Sequence, residues 1–213
     1  MSIVSSIKLL SMTTEKHPFE SFVPPNARYL LLGSFPCNRH LRFSNAQPEY
    51  GEWFYCGSGK SAFWTIIEQV YDRELPPGDR IAKALLFEEI GMAITDVALE
   101  IERKKLDCLD NSLIIKQYNT TAIARIFSEH KIEKVFFTSS FVETQFNKNI
   151  QRHLATNNFL AEYLLSPSPA ANKSIMSRAD YQEFVAKYPG KNLTYFRVEY
   201  YRARLPKLDY LPK

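Results

Sequence analysis

Three separated loops hold most of the side chains in this sequence that could act on a ligand. The first loop follows an apolar run and reads Gly33-Ser34-Phe35-Pro36. A glycine lets the backbone approach a ligand closely, and a proline fixes the turn that follows it. The serine hydroxyl can hold a water or a ligand atom, and the phenylalanine offers an apolar ring. This turn is therefore a candidate substrate site.

The second loop combines aromatic rings with a glycine-rich turn and the predicted start of a helix. It spans residues 52–64 and contains Tyr55, Ser61 and Phe63. Amide groups at a helix N-terminus attract anions, and an aromatic ring can stack on a planar base. The segment is a second candidate binding element, although a glycine loop held down by buried aromatic side chains would have the same sequence.

The third loop contains two Ser-Pro pairs after another apolar run. Its polar side chains Ser166, Ser168 and Asn172 can bond phosphate oxygens or the edge of a base, and its prolines stiffen the backbone. Asp96 also ends an apolar run, so its carboxylate should lie at the same edge of the predicted sheet.

Four apolar runs must position these loops. We predict strands at residues 28–33, 91–96, 133–138 and 159–165 with helices between them, which is typical of an α/β fold with a largely parallel sheet. In such a sheet the carboxyl ends of the strands form the ligand-binding edge. The predicted helix starts are Ser61, Asp79, Asn119, Ser140 with Glu143, and Ser177.

Composition narrows the possible chemistry. The 213 residues suit one domain, residues 1–213, and no apolar run is long enough to cross a bilayer. The first ten residues lack the pattern of a secretory signal, so we expect a cytoplasmic protein. Three widely spaced cysteines and four unclustered histidines argue against a disulfide framework and against a bound metal.

The C-terminal tail, residues 195–213, mixes basic and aromatic side chains. Five basic residues stand against two acidic ones from residue 197 onward, with tyrosines between them, while the whole chain carries a net charge of +4. Such a mixture suits a phosphate backbone and would give a salt-dependent affinity for DNA. A solvated final helix with tyrosines packed beneath it explains the pattern equally well.

In order along the chain, these motifs resemble those of the uracil-DNA glycosylase superfamily, most of all its hypoxanthine-DNA glycosylase branch and the related mismatch-specific enzymes. The matching segments are residues 17–19 (His-Pro-Phe), 32–36, 55–64, 92–96, 103–107, Asn119 and 166–170. The resemblance covers about residues 17–172. It implies a three-layer α/β/α fold with a central, mostly parallel four-stranded sheet.

The resemblance also implies a reaction. A deaminated base (uracil, hypoxanthine or xanthine) would leave the DNA, stack on Phe35 or Tyr55 and lose its N-glycosidic bond to water, in base-excision repair. Residues 33–36 would position the water, and residues 166–172 would press on the backbone or wedge beside the vacated base. No metal or cofactor is required, and we expect a monomer. Phe35, Ser61 and Ser168 must then border one hollow.

Two departures from the family pattern concern the catalytic group. Most relatives place Asp, Glu or Asn directly after the first glycine, where this chain has Ser34. The hypoxanthine-type branch places an Asn before the Phe-Trp pair, where this chain has Ser61. Asn38, Asp96 or Asn172 could orient the water instead, and Asp96 is favoured because it ends a predicted strand. A member of the fold that binds DNA or protein without catalysis is the alternative.

Two further alternatives have less support. Residues 57–61 (Gly-Ser-Gly-Lys-Ser) resemble the end of a phosphate-binding P-loop, but that motif needs a glycine where this chain has Phe54. A serine or cysteine nucleophile lacks the G-x-S-x-G turn or any supporting spacing around Cys37 and Cys56.

Overall fold

The computed structural model describes residues 13–39, 49–57 and 61–208. Within them the strands are β1 (Glu15–Lys16), β2 (Tyr29–Gly33), β3 (Met92–Asp96), β4 (Ala98–Arg103), β5 (Leu113–Tyr118), β6 (Lys134–Phe137) and β7 (Leu160–Tyr163). The α-helices are α1 (Phe63–Tyr71), α2 (Arg80–Glu89), α3 (Thr120–Glu129), α4 (Ser140–Asn149), α5 (Asn172–Met176), α6 (Ala179–Lys187) and α7 (Leu193–Arg202).

A four-stranded parallel sheet in the order β3-β2-β6-β7 forms the centre of the fold. Each strand coincides with one of the four predicted runs. Side chains alternate across the sheet, so Leu31 and Phe136 pack with α1, α2 and α7. Leu32 and Val135 point the other way and pack with α3 and α4. The predicted α/β fold, a parallel sheet between helical layers, is confirmed.

A second, antiparallel sheet in the order β1-β4-β5 was not predicted. Strand β4 follows β3 after a single residue, Val97, and its half-polar sequence gives no continuous apolar run. A buried ion pair joins β1 to β4 in this sheet: Arg103 Nε donates a hydrogen bond to Glu15 Oε1 at 2.8 Å. The Tyr50 hydroxyl donates to Glu15 Oε2 at 2.7 Å.

Helix starts follow the predicted signals with small shifts. Asp79 caps α2 by accepting from the Ala82 amide. The cap of α4 is Ser139 rather than Ser140. Asn119 occupies the N-cap position of α3, but its side chain donates to Thr95 Oγ1 and to the Asp96 carbonyl instead. Ser61 lies one residue before the N-cap of α1, and the helix expected to open at Ser177 begins at Ala179.

Residues 195–202 of the basic tail belong to α7, and the described part of the tail, residues 195–208, packs into the protein. Arg197 is only 3% exposed, and its Nη2 donates to the Ser168 carbonyl and to Asn172 Oδ1. Arg202 bonds the Gln69 carbonyl, and Arg204 pairs with Glu162. These three arginines therefore make contacts within the protein. For residues 195–208 this favours the second explanation of the sequence pattern, a final helix with tyrosines packed beneath it. No helix in the described ranges is long and apolar enough to span a bilayer.

Breaking the buried ion pair tests the role of the second sheet. Arg103→Met should lower the free energy of unfolding by about 3 kcal/mol, because Glu15 is left charged and buried. Urea denaturation measures the loss. Arg28→Met is the matched control: its ion pair with Glu133 is exposed, and its loss should cost less than about 1 kcal/mol. Equal losses in both variants would contradict the assignment.

Candidate functional site

A cavity of about 530 Å³ opens at the carboxyl ends of the parallel strands. Six segments line it: residues 34–37 after β2, Asp96 at the end of β3, residues 108–111 between β4 and β5, residues 138–141 after β6, the stretch from Tyr163 to Ser174, and the loop before α1 with Tyr55, Gly57 and Ser61. The three loops singled out in the sequence therefore border one hollow, and Phe35, Ser61 and Ser168 all line it.

Most of the predicted site residues reach the cavity wall. They are Ser34, Phe35, Pro36, Tyr55, Ser61, Asp96, Ser166 and Ser168. Three others lie behind the wall. Gly33 lies beneath Asp96 and Tyr55, Phe63 stacks on Tyr55 with ring centroids 4.2 Å apart, and Asn172 accepts a hydrogen bond from Arg197.

The end of β2 is crowded in a way that only glycine permits. Gly33 and Asp96 are paired in register across β2 and β3. A Cβ atom on Gly33 would lie 2.1 Å from Asp96 Oδ1 and 2.7 Å from the Tyr55 hydroxyl oxygen. Because Gly33 has no side chain, the Asp96 carboxylate and the Tyr55 hydroxyl can both lie directly above the end of β2.

A histidine forms a hydrogen bond with the second carboxylate oxygen of Asp96, Oδ2. His17 Nε2 lies 2.9 Å from Asp96 Oδ2, and both side chains are nearly buried. The other ring nitrogen, His17 Nδ1, contacts the backbone of Phe19. These contacts fix the imidazole ring and, through it, the carboxylate. The sequence offered only the His-Pro-Phe motif as a signal for this pair.

Asp110 is a second carboxyl group in the cavity, which the sequence did not single out. Its two oxygens accept hydrogen bonds from Ser34 Oγ at 2.7 Å and from Ser139 Oγ at 2.8 Å. Burial raises the pKa of Asp110 above its usual value, opposed by the two serine hydroxyls, and the nearby Asp96 adds to the rise. Ser34 is therefore hydrogen-bonded to a carboxyl group from another loop.

Tyr55 is a rigid neutral donor at the cavity wall. Its hydroxyl donates to Thr138 Oγ1 at 2.9 Å, and Thr138 donates to the Leu32 carbonyl. Burial raises the pKa of Tyr55 well above its usual value, so the phenol keeps its proton. Its backbone has a φ of 62°, a left-handed conformation that costs a non-glycine residue about 1–3 kcal/mol. Residues in this conformation cluster at functional sites.

Phe35 borders the cavity with only part of its ring. The side chain is 8% exposed. The His17 ring packs edge-to-face against it at 5.4 Å, and the Arg103 guanidinium lies 5.8 Å from its centroid. Its faces are thus largely occupied by protein. Tyr55, with one face against Phe63, is the better placed of the two predicted stacking residues.

The cysteines differ from expectation. Cys37 and Cys108 form a disulfide at the cavity wall, although the wide spacing of the three cysteines had argued against one. Burial raises the pKa of the Cys56 thiol to about 12, so it does not ionise near neutral pH. Neither Cys37 nor Cys56 is thus available as a thiolate nucleophile. Among the described residues, no cluster of His, Cys, Asp and Glu could hold a metal ion.

The P-loop alternative rests partly on residues 58–60, which lie outside the described ranges, and these include Lys60. The described neighbours give it little support. Gly57 and Ser61 border the same cavity as the other loops. Helix α1 begins at Phe63, with Ala62 as its N-cap.

Comparison with known proteins identifies the fold. No family model matches the sequence, and no curated protein matches it. Among solved structures, the chain is similar to the solution NMR structure of a Methanosarcina acetivorans protein described as a candidate uracil DNA glycosylase. The two share 16% sequence identity with a TM-score of 0.54, over 82% of this chain and 96% of the other. At this identity the match establishes a shared fold.

The raised pKa of Asp110 gives a stability prediction with a definite sign. A carboxyl group whose pKa is raised by folding contributes stability below its unfolded pKa and loses it as pH rises through the folded value. Asp110→Asn should therefore remain as stable as the wild type, or become more stable, as pH rises to neutral. Thermal denaturation across pH 4 to 8, measured for both proteins, checks the difference.

Asp180→Asn is the control with the opposite sign. The hydrogen bond from Arg178 lowers the pKa of Asp180, so that carboxylate contributes stability above its unfolded pKa and loses it as pH falls through the folded value. Its replacement should cost stability at neutral pH and nothing in acid. An Asp110→Asn profile that followed the Asp180→Asn profile would contradict the raised pKa.

Proposed function

We propose that this chain is a DNA N-glycosylase that extrudes a deaminated base and hydrolyses its bond to the sugar. The observation that carries the proposal is the convergence of all three predicted loops, with Asp96 and Asp110, on one cavity at the strand ends. The ordered motifs and the fold shared with the Methanosarcina acetivorans protein support it. The cavity of about 530 Å³ has room for a nucleobase and its sugar.

Asp96 is the proposed water-orienting group. Breaking an N-glycosidic bond leaves positive charge on the sugar, and a buried carboxylate stabilises that charge more strongly than it could in water. His17 fixes Asp96 Oδ2, while Oδ1 lies above Gly33. A water held by Asp96 attacks the anomeric carbon, its proton passes to the carboxylate, and the bonding electrons leave with the base.

Ser34 and Asp110 complete the proposed water site. Because the Ser34 hydroxyl donates a hydrogen bond to Asp110, a lone pair on its oxygen can accept a hydrogen bond from the water. The serine thus acts as a fixed acceptor at the position where relatives place a carboxylate or amide. Tyr55 supplies the base-stacking surface, and Ser166 and Ser168 with Pro36 and Ser61 contact the nucleotide around it.

The hypoxanthine-DNA glycosylase and mismatch-specific branches are the proposed relatives within the superfamily. The reaction needs water as its co-reactant, and we propose a monomer acting on DNA. The alternative, a DNA-binding member of the fold without catalysis, is favoured by one observation: both usual catalytic positions are serines, Ser34 and Ser61.

Excision assays on oligonucleotides with uracil, hypoxanthine, xanthine or thymine opposite guanine test the proposal. We expect cleavage of at least one deaminated base, and a fall of about 100-fold for Asp96→Asn, comparable to the loss of one transition-state contact. Binding to a duplex with an abasic site measures DNA affinity separately. Tight abasic-site binding without excision of any base would support the non-catalytic alternative. A wild-type rate for Asp96→Asn would remove it from the mechanism.

Tyr55→Ala tests the stacking surface. Loss of the ring should reduce excision about tenfold or more, because a base–aromatic contact contributes about 1–3 kcal/mol. Tyr188→Ala is the control, since Tyr188 is an exposed tyrosine that does not line the cavity. Single-turnover kinetics with saturating enzyme separate chemistry from binding. Unchanged excision by Tyr55→Ala in a folded protein would exclude the stacking role.

A further inference from the structure

The charged side chains on the described wall of the cavity are acidic. Asp96 and Asp110 both line it, while the other polar side chains of that wall are the neutral hydroxyls of serines, threonine and tyrosines and the amide of Asn111. No lysine, arginine or histidine within the described ranges borders the cavity. This charge bears on which ligands can enter, because a partly buried site strengthens both attraction and repulsion.

Asp96 has one carboxylate oxygen without a protein donor. The residue lines the cavity and is only 4% exposed, and its Oδ2 is hydrogen-bonded to His17. Its Oδ1 lies above Gly33 and accepts no hydrogen bond from residues 13–39, 49–57 or 61–208. A nearly buried anionic oxygen without a donor is unfavourable. This atom therefore favours a ligand that brings a hydrogen-bond donor or a positive charge.

Asp110 forms no ion pair within the described part of the chain. Its two oxygens accept hydrogen bonds from the neutral hydroxyls of Ser34 and Ser139. Burial raises the pKa of Asp110, the two hydroxyls oppose the rise, the charge of Asp96 adds to it, and Arg103 lowers it least. The two carboxyl groups thus repel each other when both are ionised. A cation bound beside them would offset that repulsion, since an opposite charge favours the ionised form.

An aromatic ring on the same wall also suits a cation. Tyr55 borders the cavity and stacks on Phe63 with ring centroids 4.2 Å apart, so the face turned away from Phe63 is the one that a ligand can cover. The negative face of an aromatic ring attracts a cation within about 6 Å, and more strongly once water is excluded. This observation is independent of the carboxyl groups. Both favour a flat ligand that carries positive charge.

Deaminated bases do not have that character. Uracil, hypoxanthine and xanthine are neutral in DNA, and each takes the bonding electrons with it as an anion when it leaves the sugar. Asp96 and Asp110 stabilise positive charge on the sugar but oppose the charge of such a base. A purine alkylated on N3 or N7 instead has a fixed positive charge and leaves as a neutral molecule. Its positive charge moves from the base to the sugar and stays beside the same carboxyl groups.

We propose that the cavity accepts purines alkylated on N3 or N7 and that the chain releases them from DNA as well as deaminated bases. The inference rests on the proposed function, because it uses the same cavity, and extends it to bases of fixed positive charge. The water held by Asp96 attacks the anomeric carbon, the carbon–nitrogen bond breaks, and its electrons cancel the charge of the base. The proton of the water passes to the Asp96 carboxylate, so the reaction needs no other co-reactant.

Base release from duplex DNA methylated with dimethyl sulfate tests the inference. Chromatography measures free 3-methyladenine and 7-methylguanine with and without the protein, because both bases also leave spontaneously. We expect release above the spontaneous rate with the wild type, and a fall of about 100-fold in the protein-dependent rate for Asp96→Asn. The same variant, purified in the same way, controls for contaminating activities. No release above the spontaneous rate, by a protein that excises a deaminated base, overturns the inference and leaves the proposed function standing.

Binding of two nucleosides measures the charge preference without catalysis. 1-Methyladenosine is a cation at neutral pH, and 1-methylinosine is a neutral molecule of nearly the same shape. Calorimetric titration should show about tenfold tighter binding of the cation, because opposite charges attract strongly in a partly buried site. Equal affinities for the two nucleosides would contradict a cavity that selects positive charge.

Asp110→Asn removes one carboxyl charge with little change of shape. It should reduce the preference for 1-methyladenosine over 1-methylinosine by about threefold or more. Asp72→Asn is the matched control, since it makes the same substitution at an exposed residue that does not line the cavity, and it should retain the wild-type preference. A preference that is unchanged in Asp110→Asn overturns the assignment of Asp110 as a cation-binding group.

The two assays together separate this inference from the proposed function. If alkylated purines are released and no deaminated base is, the assignment of deaminated bases fails and the inference stands. If no base of either class is released, the proposed function and the release of alkylated purines both fail. Tighter binding of 1-methyladenosine would then retain only the cation-binding cavity, and equal binding would remove that as well.

Discussion

The site depends on one steric constraint at the end of β2. Gly33 is paired with Asp96 across two parallel strands, and no other residue type would leave room for the carboxylate and the Tyr55 hydroxyl above it. The sheet register thus decides where the acid lies, and His17 decides how it is turned. The cavity chemistry follows from this arrangement, since the remaining polar groups are brought up around it by loops.

The sequence predicted the parallel sheet and the convergence of the loops, because both depend on local signals. Four apolar runs mark four parallel strands, and polar residues at their carboxyl ends must meet at one edge of the sheet. The roles given to Ser34, Ser61 and Asp96 stay predictions. The antiparallel sheet was missed because β4 mixes apolar with charged residues, all of them buried or partly buried, which leaves no distinct apolar run.

The position of Asp110 in the cavity and the pairing of His17 with Asp96 could not be predicted for a different reason. Each acts through a partner far away in the chain: Asp110 is 76 residues from Ser34, and His17 is 79 residues from Asp96. Such pairings arise from tertiary packing and leave no periodicity in the sequence. The basic tail illustrates the opposite case, because its composition pointed to DNA while Arg197 is buried and supports residues 168–172 from behind.

The bond between Cys37 and Cys108 joins positions 71 residues apart, and the enclosed stretch includes Tyr55, Ser61 and Asp96. A cross-link of that span restricts the denatured chain, which corresponds to about 4 kcal/mol of stabilisation in the chain-entropy description. The free energy of unfolding of this protein therefore depends on whether its surroundings keep the disulfide oxidised. Under reducing conditions that contribution would be lost, and the non-covalent contacts of the fold alone would hold the site.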